Sequence, residues 1–138
     1  MEKRPLNILL IAREPEGLQH FHDALRPYGD AVRVHPIAGH AAAFDQIKTT
    51  AVALSPPRIA VLDLETLADD GVDLMQHFRS DPQLSGLPIY VLTQADRKQD
   101  IAAAHRFNAA ACLTKPAQND QYPHMVQTLT KFWEICEF

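Results

Sequence analysis

The most informative stretch of the chain is Arg58-Ile59-Ala60-Val61-Leu62-Asp63-Leu64-Glu65, in which apolar, partly β-branched residues run into a carboxylate. Pro56 and Pro57 precede it. An apolar run of this length is typical of a strand buried on both faces of a parallel sheet. Ligands and chemistry in such sheets gather beyond the carboxyl ends of the strands, where we expect Asp63. Taken alone, Asp63 is more simply interpreted as a turn or helix-capping residue.

Four other segments predict further strands of the same sheet. They cover residues 7–12, 30–35, 89–93 and 109–114, and the alternating pattern of the second favours an edge strand. Apolar residues at helical spacing predict a helix after each strand. Residues 64–70 are predicted as a loop, Asp96 as a helix N-cap, and the last helix runs from about residue 119 to 136. The pattern predicts a single α/β domain over residues 1–138, a doubly wound five-stranded parallel sheet flanked by five helices.

Composition excludes several classes of protein. With 138 residues, 46% hydrophobic and 22% charged, the chain has the composition of a globular domain. A formal net charge of -4 without a basic cluster argues against nucleic acid as a partner. We expect no membrane partner, because no apolar stretch approaches the roughly 20 residues needed to span a bilayer. Cys112 and Cys136 have no CxxC spacing and are predicted to be reduced thiols of a cytoplasmic protein.

Polar residues stand at four of the predicted strand ends: Arg13-Glu14, Asp63, Thr93 and Lys115. In a doubly wound sheet these ends meet at one crevice. There a carboxylate can attack a phosphoryl group, while a lysine and a hydroxyl bind the phosphoryl oxygens. Asp63, Thr93 and Lys115 are therefore the candidate catalytic residues.

The spacing of these residues resembles that of response regulator receiver domains, the chemotaxis-regulator-like proteins of two-component signalling. The resemblance implies a flavodoxin-like receiver fold with strand order 2-1-3-4-5. The closing Lys131-Phe132-Trp133 is similar to the tail of single-domain regulators that accompany bacterial phytochromes. The matching segments are Ile8-Leu9-Leu10-Ile11, Val61-Leu62-Asp63-Leu64, Asp70-Gly71, Val91-Leu92-Thr93 and Leu113-Thr114-Lys115-Pro116.

The resemblance implies a role in a phosphorelay rather than an enzyme. A sensor histidine kinase or other signalling protein would be the partner, and Asp63 would accept the phosphoryl group. The hydroxyl of Thr93 would then move toward it and change the face formed by the fourth helix, fifth strand and fifth helix. Output would be contact with another protein, or with a second copy through the last helix. The resemblance also implies Mg²⁺ at Asp63 and Glu65 and a cis Lys115–Pro116 bond.

The acidic pair that normally follows the first strand of receivers is replaced here by Ala12 and Arg13. Counting Asp63, Arg13 and Lys115, the local charge is +1 where three carboxylates and a lysine would give -2. Each unit pair is worth about 3 kcal/mol at ~6 Å and an effective dielectric of ~20. We therefore expect impaired Mg²⁺ binding and impaired Mg²⁺-dependent phosphorylation. Two interpretations of Arg13 stay open: it pairs with Asp63 in place of the metal, or it is solvated outside the site.

Two other functions are weighed against a phosphorylated receiver. A degenerate pseudo-receiver would serve as a phosphorylation-independent protein-interaction module, and the loss of the acidic pair favours it. Gln94, which follows the Thr93 position, would then add to the obstruction of Asp63. A flavodoxin-like or nucleotide-binding enzyme is disfavoured, because the turn at residues 12–15 lacks the glycines and hydroxyls that cradle phosphate.

Overall fold

The computed structural model describes residues 4–94 and 97–135, without the side chains of Ala41, Asn119 and residues 132–135. Its centre is a five-stranded parallel sheet with the order β2-β1-β3-β4-β5, which confirms the predicted order. The strands are β1 (Leu6–Ala12), β2 (Val32–Ala38), β3 (Arg58–Asp63), β4 (Ile89–Thr93) and β5 (Ala111–Thr114).

The part of the chain that the structure describes contains six α-helices, where the sequence predicts five. They are α1 (Gln19–Leu25), α2 (Phe44–Ala53), α3 (Leu64–Leu67), α4 (Asp69–Ser80), α5 (Lys98–Arg106) and α6 (Tyr122–Ile135). Short 3-10 turns flank them at Pro15–Leu18, Arg26–Ala31, Ala41–Ala43 and Asn119–Gln121.

The additional helix, α3, shows that the predicted loop at residues 64–70 is wrong. Asp63 begins this helix, because its Oδ1 accepts a hydrogen bond from the Glu65 amide at 3.2 Å. Leu64 and Leu67, three positions apart, are both fully buried. Ala68 then turns the chain, with φ 51° and ψ -129°, so that α4 starts at once. Local capping and burial thus make helical a segment that the sequence pattern leaves as a loop.

The sheet separates two hydrophobic layers because β1 and β3 are buried on both faces. On one face Leu9 and Ile11 pack with α2, α4 and α5. On the other face Ile8 and Leu10 pack with α1 and α6. This arrangement is the predicted doubly wound fold, and it leaves the carboxyl ends of β1, β3, β4 and β5 at one rim of the sheet.

Other sequence predictions have mixed outcomes. Lys115–Pro116 is not cis, so that prediction is wrong; Pro56–Pro57 is the one cis bond in the described part of the chain. Because the two isomers of an X-Pro bond differ by about 0.5–1 kcal/mol, the dipeptide alone does not fix the isomer. The predicted cap Asp96 and the thiol Cys136 lie outside the described residues. No helix within the described ranges has the length and apolar character to cross a bilayer.

Candidate functional site

Asp63 is the last residue of β3, and its side chain is fully buried. Its Oδ2 accepts hydrogen bonds from Lys115 Nζ at 2.8 Å and from the Thr66 hydroxyl at 3.1 Å. Its Oδ1 accepts the Glu65 amide. Burial of a carboxylate is costly unless it is paired and hydrogen-bonded, and here three donors meet that requirement. Asp63 is thus at once a strand-end carboxylate, as predicted, and a helix cap.

Lys115 follows β5 and is held in place by the sheet, since its amide donates to the Thr93 carbonyl at 2.7 Å. Its ammonium lies 2.8 Å from Asp63 Oδ2 and 3.0 Å from Glu65 Oε2, and its side chain is only 13% exposed. Burial alone would lower the pKa of Lys115. The hydrogen bonds and charges of Asp63 and Glu65 outweigh burial and raise that pKa above its ordinary value, so Lys115 is a cation.

Glu65 lies in the first turn of α3 and forms the outer side of the site. Its Oε1 accepts a hydrogen bond from Gln94 Nε2 at 2.8 Å, which ties α3 to the segment after β4. Burial tends to raise the pKa of Glu65, but Lys115 and then Gln94 and Arg97 lower it below its ordinary value. The site is therefore an ammonium between two carboxylates, with a local charge of -1.

Thr93 closes β4 next to this group, but its hydroxyl has other partners. It donates to Oδ2 of Asp100, in the first turn of α5, at 2.5 Å. The Gln94 carbonyl, 3.3 Å away, is a second acceptor for the same hydroxyl. Among the described residues, no hydrogen bond joins the Thr93 hydroxyl to Asp63. Of the three candidate catalytic residues, the structure joins Asp63 and Lys115 directly and places Thr93 at the adjoining strand end, facing α5.

Arg13 does not pair with Asp63, so that interpretation is wrong. Its Nη2 lies 2.8 Å from Asp70 Oδ2, and its Nε donates to the Thr66 carbonyl at 3.1 Å. The side chain is 54% exposed, and Asp70 in the first turn of α4 is partly exposed too. Asp63 is buried and already has three donors, whereas Asp70 offers a free carboxylate at the surface. Arg13 is neither in the metal's place nor simply solvated.

Solved structures share this architecture over nearly the whole chain. The phosphorylated cyanobacterial phytochrome response regulator RcpA has a TM-score of 0.77 and 22% identity, with 96% of each chain covered. The bacteriophytochrome response regulator AtBRR has a TM-score of 0.67 and 25% identity over the full length of both chains. The chain has the fold of a response regulator receiver domain. The predicted resemblance, including that to phytochrome-associated regulators, is confirmed.

The same receiver resemblance is found in curated sequences. Response regulator Rcp1 of Synechocystis sp. (strain ATCC 27184 / PCC 6803 / Kazusa) is 29% identical over 77 residues, 56% of this chain and 52% of Rcp1. In such matches the chain spans about half the length of its curated relatives. A structure of the Mn²⁺-bound form of Rcp1 has a TM-score of 0.75 and 23% identity, with 97% of this chain and 98% of that one covered. No family model matches the chain.

The residues of this site do not fit Mg²⁺. That ion requires near-octahedral oxygen ligands at about 2.0–2.1 Å. The two carboxylates predicted as its ligands, Asp63 and Glu65, are bridged by the Lys115 ammonium. Ala12 is buried and has no side-chain oxygen. Within the described ranges no group of three or more His, Cys, Asp or Glu side chains is placed to hold a metal ion.

Sequence reasoning missed two residues of this region, Thr66 and Asp100. Thr66 had a signal: Asp63 three residues before a hydroxyl, with Leu64 and Leu67 at helical spacing, is compatible with a capped helical turn. The sequence gives no signal for Asp100 as a site residue, because acidic residues are common in the first turn of a helix. Only the placement of α5 against the end of β4 brings it to Thr93.

Proposed function

We propose that this chain is a receiver domain in phosphorelay signalling, with Asp63 as the phosphoacceptor. The observation that carries the proposal is the Asp63–Lys115 pair, 2.8 Å apart at the carboxyl edge of the sheet. The carboxylate supplies a nucleophilic oxygen. The Lys115 cation, fixed by the sheet, is placed to bind a phosphoryl oxygen once Asp63 Oδ2 has reacted.

In this proposal one Asp63 oxygen forms a bond to phosphorus while the bond from phosphorus to the donor breaks. The donor would be a phosphohistidine of a sensor kinase or a small acyl phosphate, and its leaving group departs with the bonding electron pair. Before it reacts, Asp63 must give up some of its hydrogen bonds, because Thr66 and Lys115 both donate to Oδ2 and the side chain is fully buried. We therefore infer that phosphorylation is slow, and that Mg²⁺ contributes little because the residues do not fit it.

A second candidate is a pseudo-receiver that binds a protein partner without phosphorylation. The complete hydrogen bonding of the buried Asp63 favours it, since the site is already satisfied in its unmodified state. In both cases the output is contact with another protein or with a second copy. The last helix, α6, is the proposed contact surface between two copies.

Reaction with acetyl phosphate, with and without Mg²⁺, separates the two candidates. Intact-protein mass spectrometry should show one slowly added phosphoryl group in the wild type and none in Asp63→Asn, with little effect of Mg²⁺. Absence of any modification would refute the phosphoacceptor role and leave the pseudo-receiver. Fast modification that requires Mg²⁺ would refute the inference of an impaired site.

The metal requirement is tested by restoring the acidic pair in Ala12→Glu/Arg13→Asp. If missing oxygen ligands cause the impairment, this double variant should bind Mg²⁺ more tightly than the wild type in a calorimetric titration. Ala102→Glu/Arg106→Asp, which makes the same two substitutions at exposed positions of α5, is the control for general charge effects. An unchanged Mg²⁺ affinity in the double variant would contradict the ligand argument.

A further inference from the structure

Asp100 is a buried carboxylate that the proposed chemistry does not use. It is 5% exposed, lies in the first turn of α5, and accepts the Thr93 hydroxyl at 2.5 Å. Thr93 is 2% exposed, so water cannot easily take the place of either partner. A hydrogen bond to a charged acceptor is stronger than one between neutral groups, and burial strengthens it further.

The Thr93 hydroxyl has a single hydrogen to donate. While Asp100 accepts it, that hydrogen is unavailable to a phosphoryl group on Asp63. The two acceptors would therefore compete for one donor, and Asp100 holds that donor in the unmodified protein. Departure of Thr93 would leave the Asp100 carboxylate buried without its donor, which is costly.

Arg97 offers Asp100 an alternative partner. Its Nε lies 3.8 Å from Asp100 Oδ2, beyond hydrogen-bond distance, and is buried without a hydrogen-bond partner among the described residues. A small approach would let the guanidinium replace the threonine hydroxyl. Asp100 can thus exchange the Thr93 hydroxyl for the Arg97 guanidinium. A movement of this hydroxyl would then change the hydrogen bonding at the start of α5.

We propose that Asp100 is a positioning residue that holds the Thr93 hydroxyl toward α5 and so opposes activation at Asp63. The effect on activation rests on the proposed function of Asp63. The restraint on the Thr93 hydroxyl does not depend on that function. It gives α5 a direct connection to the site, because the carboxylate that holds the β4 threonine belongs to the first turn of this helix.

The restraint is tested in the unmodified protein by NMR. Three-bond couplings to the Thr93 methyl group report its χ1 rotamer. We expect one rotamer in the wild type, averaging between rotamers in Asp100→Ala, and an intermediate result in Asp100→Asn, which keeps one acceptor oxygen. Gln99→Ala, an exposed neighbour on α5, should leave the rotamer unchanged. A single unchanged rotamer in Asp100→Ala would overturn the proposal.

The consequence is tested by titrating beryllium fluoride, a phosphoryl mimic, with Mg²⁺ present. Releasing Thr93 should tighten binding about tenfold in Asp100→Ala, the effect of one charge-assisted hydrogen bond. In the Thr93→Val background the same substitution should have no effect. Equal affinities of the wild type and Asp100→Ala would refute the opposition to activation. If no variant binds the mimic, the rate of Asp63 phosphorylation by acetyl phosphate takes the place of the affinity, and equal rates in the wild type and Asp100→Ala refute the opposition to activation. Absence of any phosphorylation refutes the phosphoacceptor function instead, and the rotamer measurement then decides on the restraint.

Discussion

The Arg13 guanidinium pairs with Asp70, at 2.8 Å between Nη2 and Oδ2, and leaves Asp63 to Lys115. This pairing changes the reason for expecting a poor metal site. With Arg13 outside the site and Glu65 inside it, the local charge is -1 rather than +1. Repulsion of a divalent cation is therefore not the main obstacle. The obstacle is that the oxygens of Asp63 and Glu65 already accept from an ammonium, a hydroxyl and amide groups.

The first prediction concerns the buried Asp63–Lys115 pair. Lys115→Met removes the cation and leaves a fully buried carboxylate, so it should lower the free energy of unfolding by about 3 kcal/mol. Urea denaturation measures the loss. Lys131→Met, at an exposed position of α6, should change the free energy by less than about 0.5 kcal/mol. In Asp63→Asn the same lysine substitution should cost much less, and equal costs in both backgrounds would contradict the pairing.

The strands could be predicted from the sequence because burial dominates them, whereas their order was predicted from the resemblance to receiver domains. β3 and β4 are apolar runs, as is typical of parallel strands buried on both faces. The strand-helix alternation then leaves few topologies, and the rim that carries Asp63 and Lys115 follows. What the sequence predicted well was thus the part of the site that the backbone alone determines.

The choice of side-chain partners could not be predicted in the same way. Arg13 pairs with Asp70 in the first turn of α4, which follows the helical α3 at once, whereas the sequence pattern predicted a loop over residues 64–70. Thr93 selects Asp100 because of the way α5 packs beside β4. Such choices depend on differences of a few ångströms between competing acceptors, which spacing along the chain does not report.

The second prediction concerns Arg79, whose guanidinium joins two loops at the opposite end of α4. It donates to four backbone carbonyls, at 2.7 to 3.1 Å, those of Phe107, Ser85, Leu87 and Asn108. Lysine cannot reproduce this planar set of donors. Arg79→Lys should therefore lower the free energy of unfolding by about 2–3 kcal/mol.

Arg26→Lys is the matched control for Arg79. Arg26 has an exposed side chain whose one ion pair among the described residues is with the exposed Asp23, so its replacement should be nearly neutral in the same urea titration. A neutral Arg79→Lys would mean that the four carbonyls are satisfied as well by water as by the guanidinium.

The third prediction is a pH dependence caused by Glu65. Lys115 lowers the pKa of Glu65 in the folded protein, so folding favours the ionised carboxylate. The stability that Glu65 contributes is present above the ordinary pKa of a glutamate, about 4.3, and is lost as the pH falls through the lower pKa of the folded state. Glu65→Gln should thus be less stable than the wild type at about pH 7, with the difference shrinking by about pH 3.

Urea titrations of the wild type and Glu65→Gln across this pH range measure the difference in the free energy of unfolding. The contributions of the other carboxylates cancel in this difference, because both proteins contain them. Glu16→Gln, at an exposed position of the turn Pro15–Leu18, supplies the control. A difference between wild type and Glu65→Gln that is constant with pH would show that the carboxylate contributes by packing and not by charge.

The fourth prediction concerns Ala68, which joins α3 to α4 with φ 51° and ψ -129°. Residues with a side chain rarely adopt this conformation, and a glycine, Gly29, adopts a similar one with φ 56° and ψ -134°. The strain costs about 1–3 kcal/mol, while a glycine adds about 0.5–1 kcal/mol of entropy to the unfolded state. Ala68→Gly should therefore raise the free energy of unfolding by about 1 kcal/mol.

Ala102→Gly, at an exposed position inside α5, makes the same chemical change without strain relief. It should lower the free energy of unfolding by about 1 kcal/mol, so the two alanines give effects of opposite sign. Because Ala68 ends the helical turn whose amide and hydroxyl donate to Asp63, relief of its strain should also stabilise these two hydrogen bonds. Phosphorylation of Asp63 by acetyl phosphate should then be slower in Ala68→Gly than in the wild type. A faster reaction in a more stable protein would mean that α3 does not restrict access to Asp63.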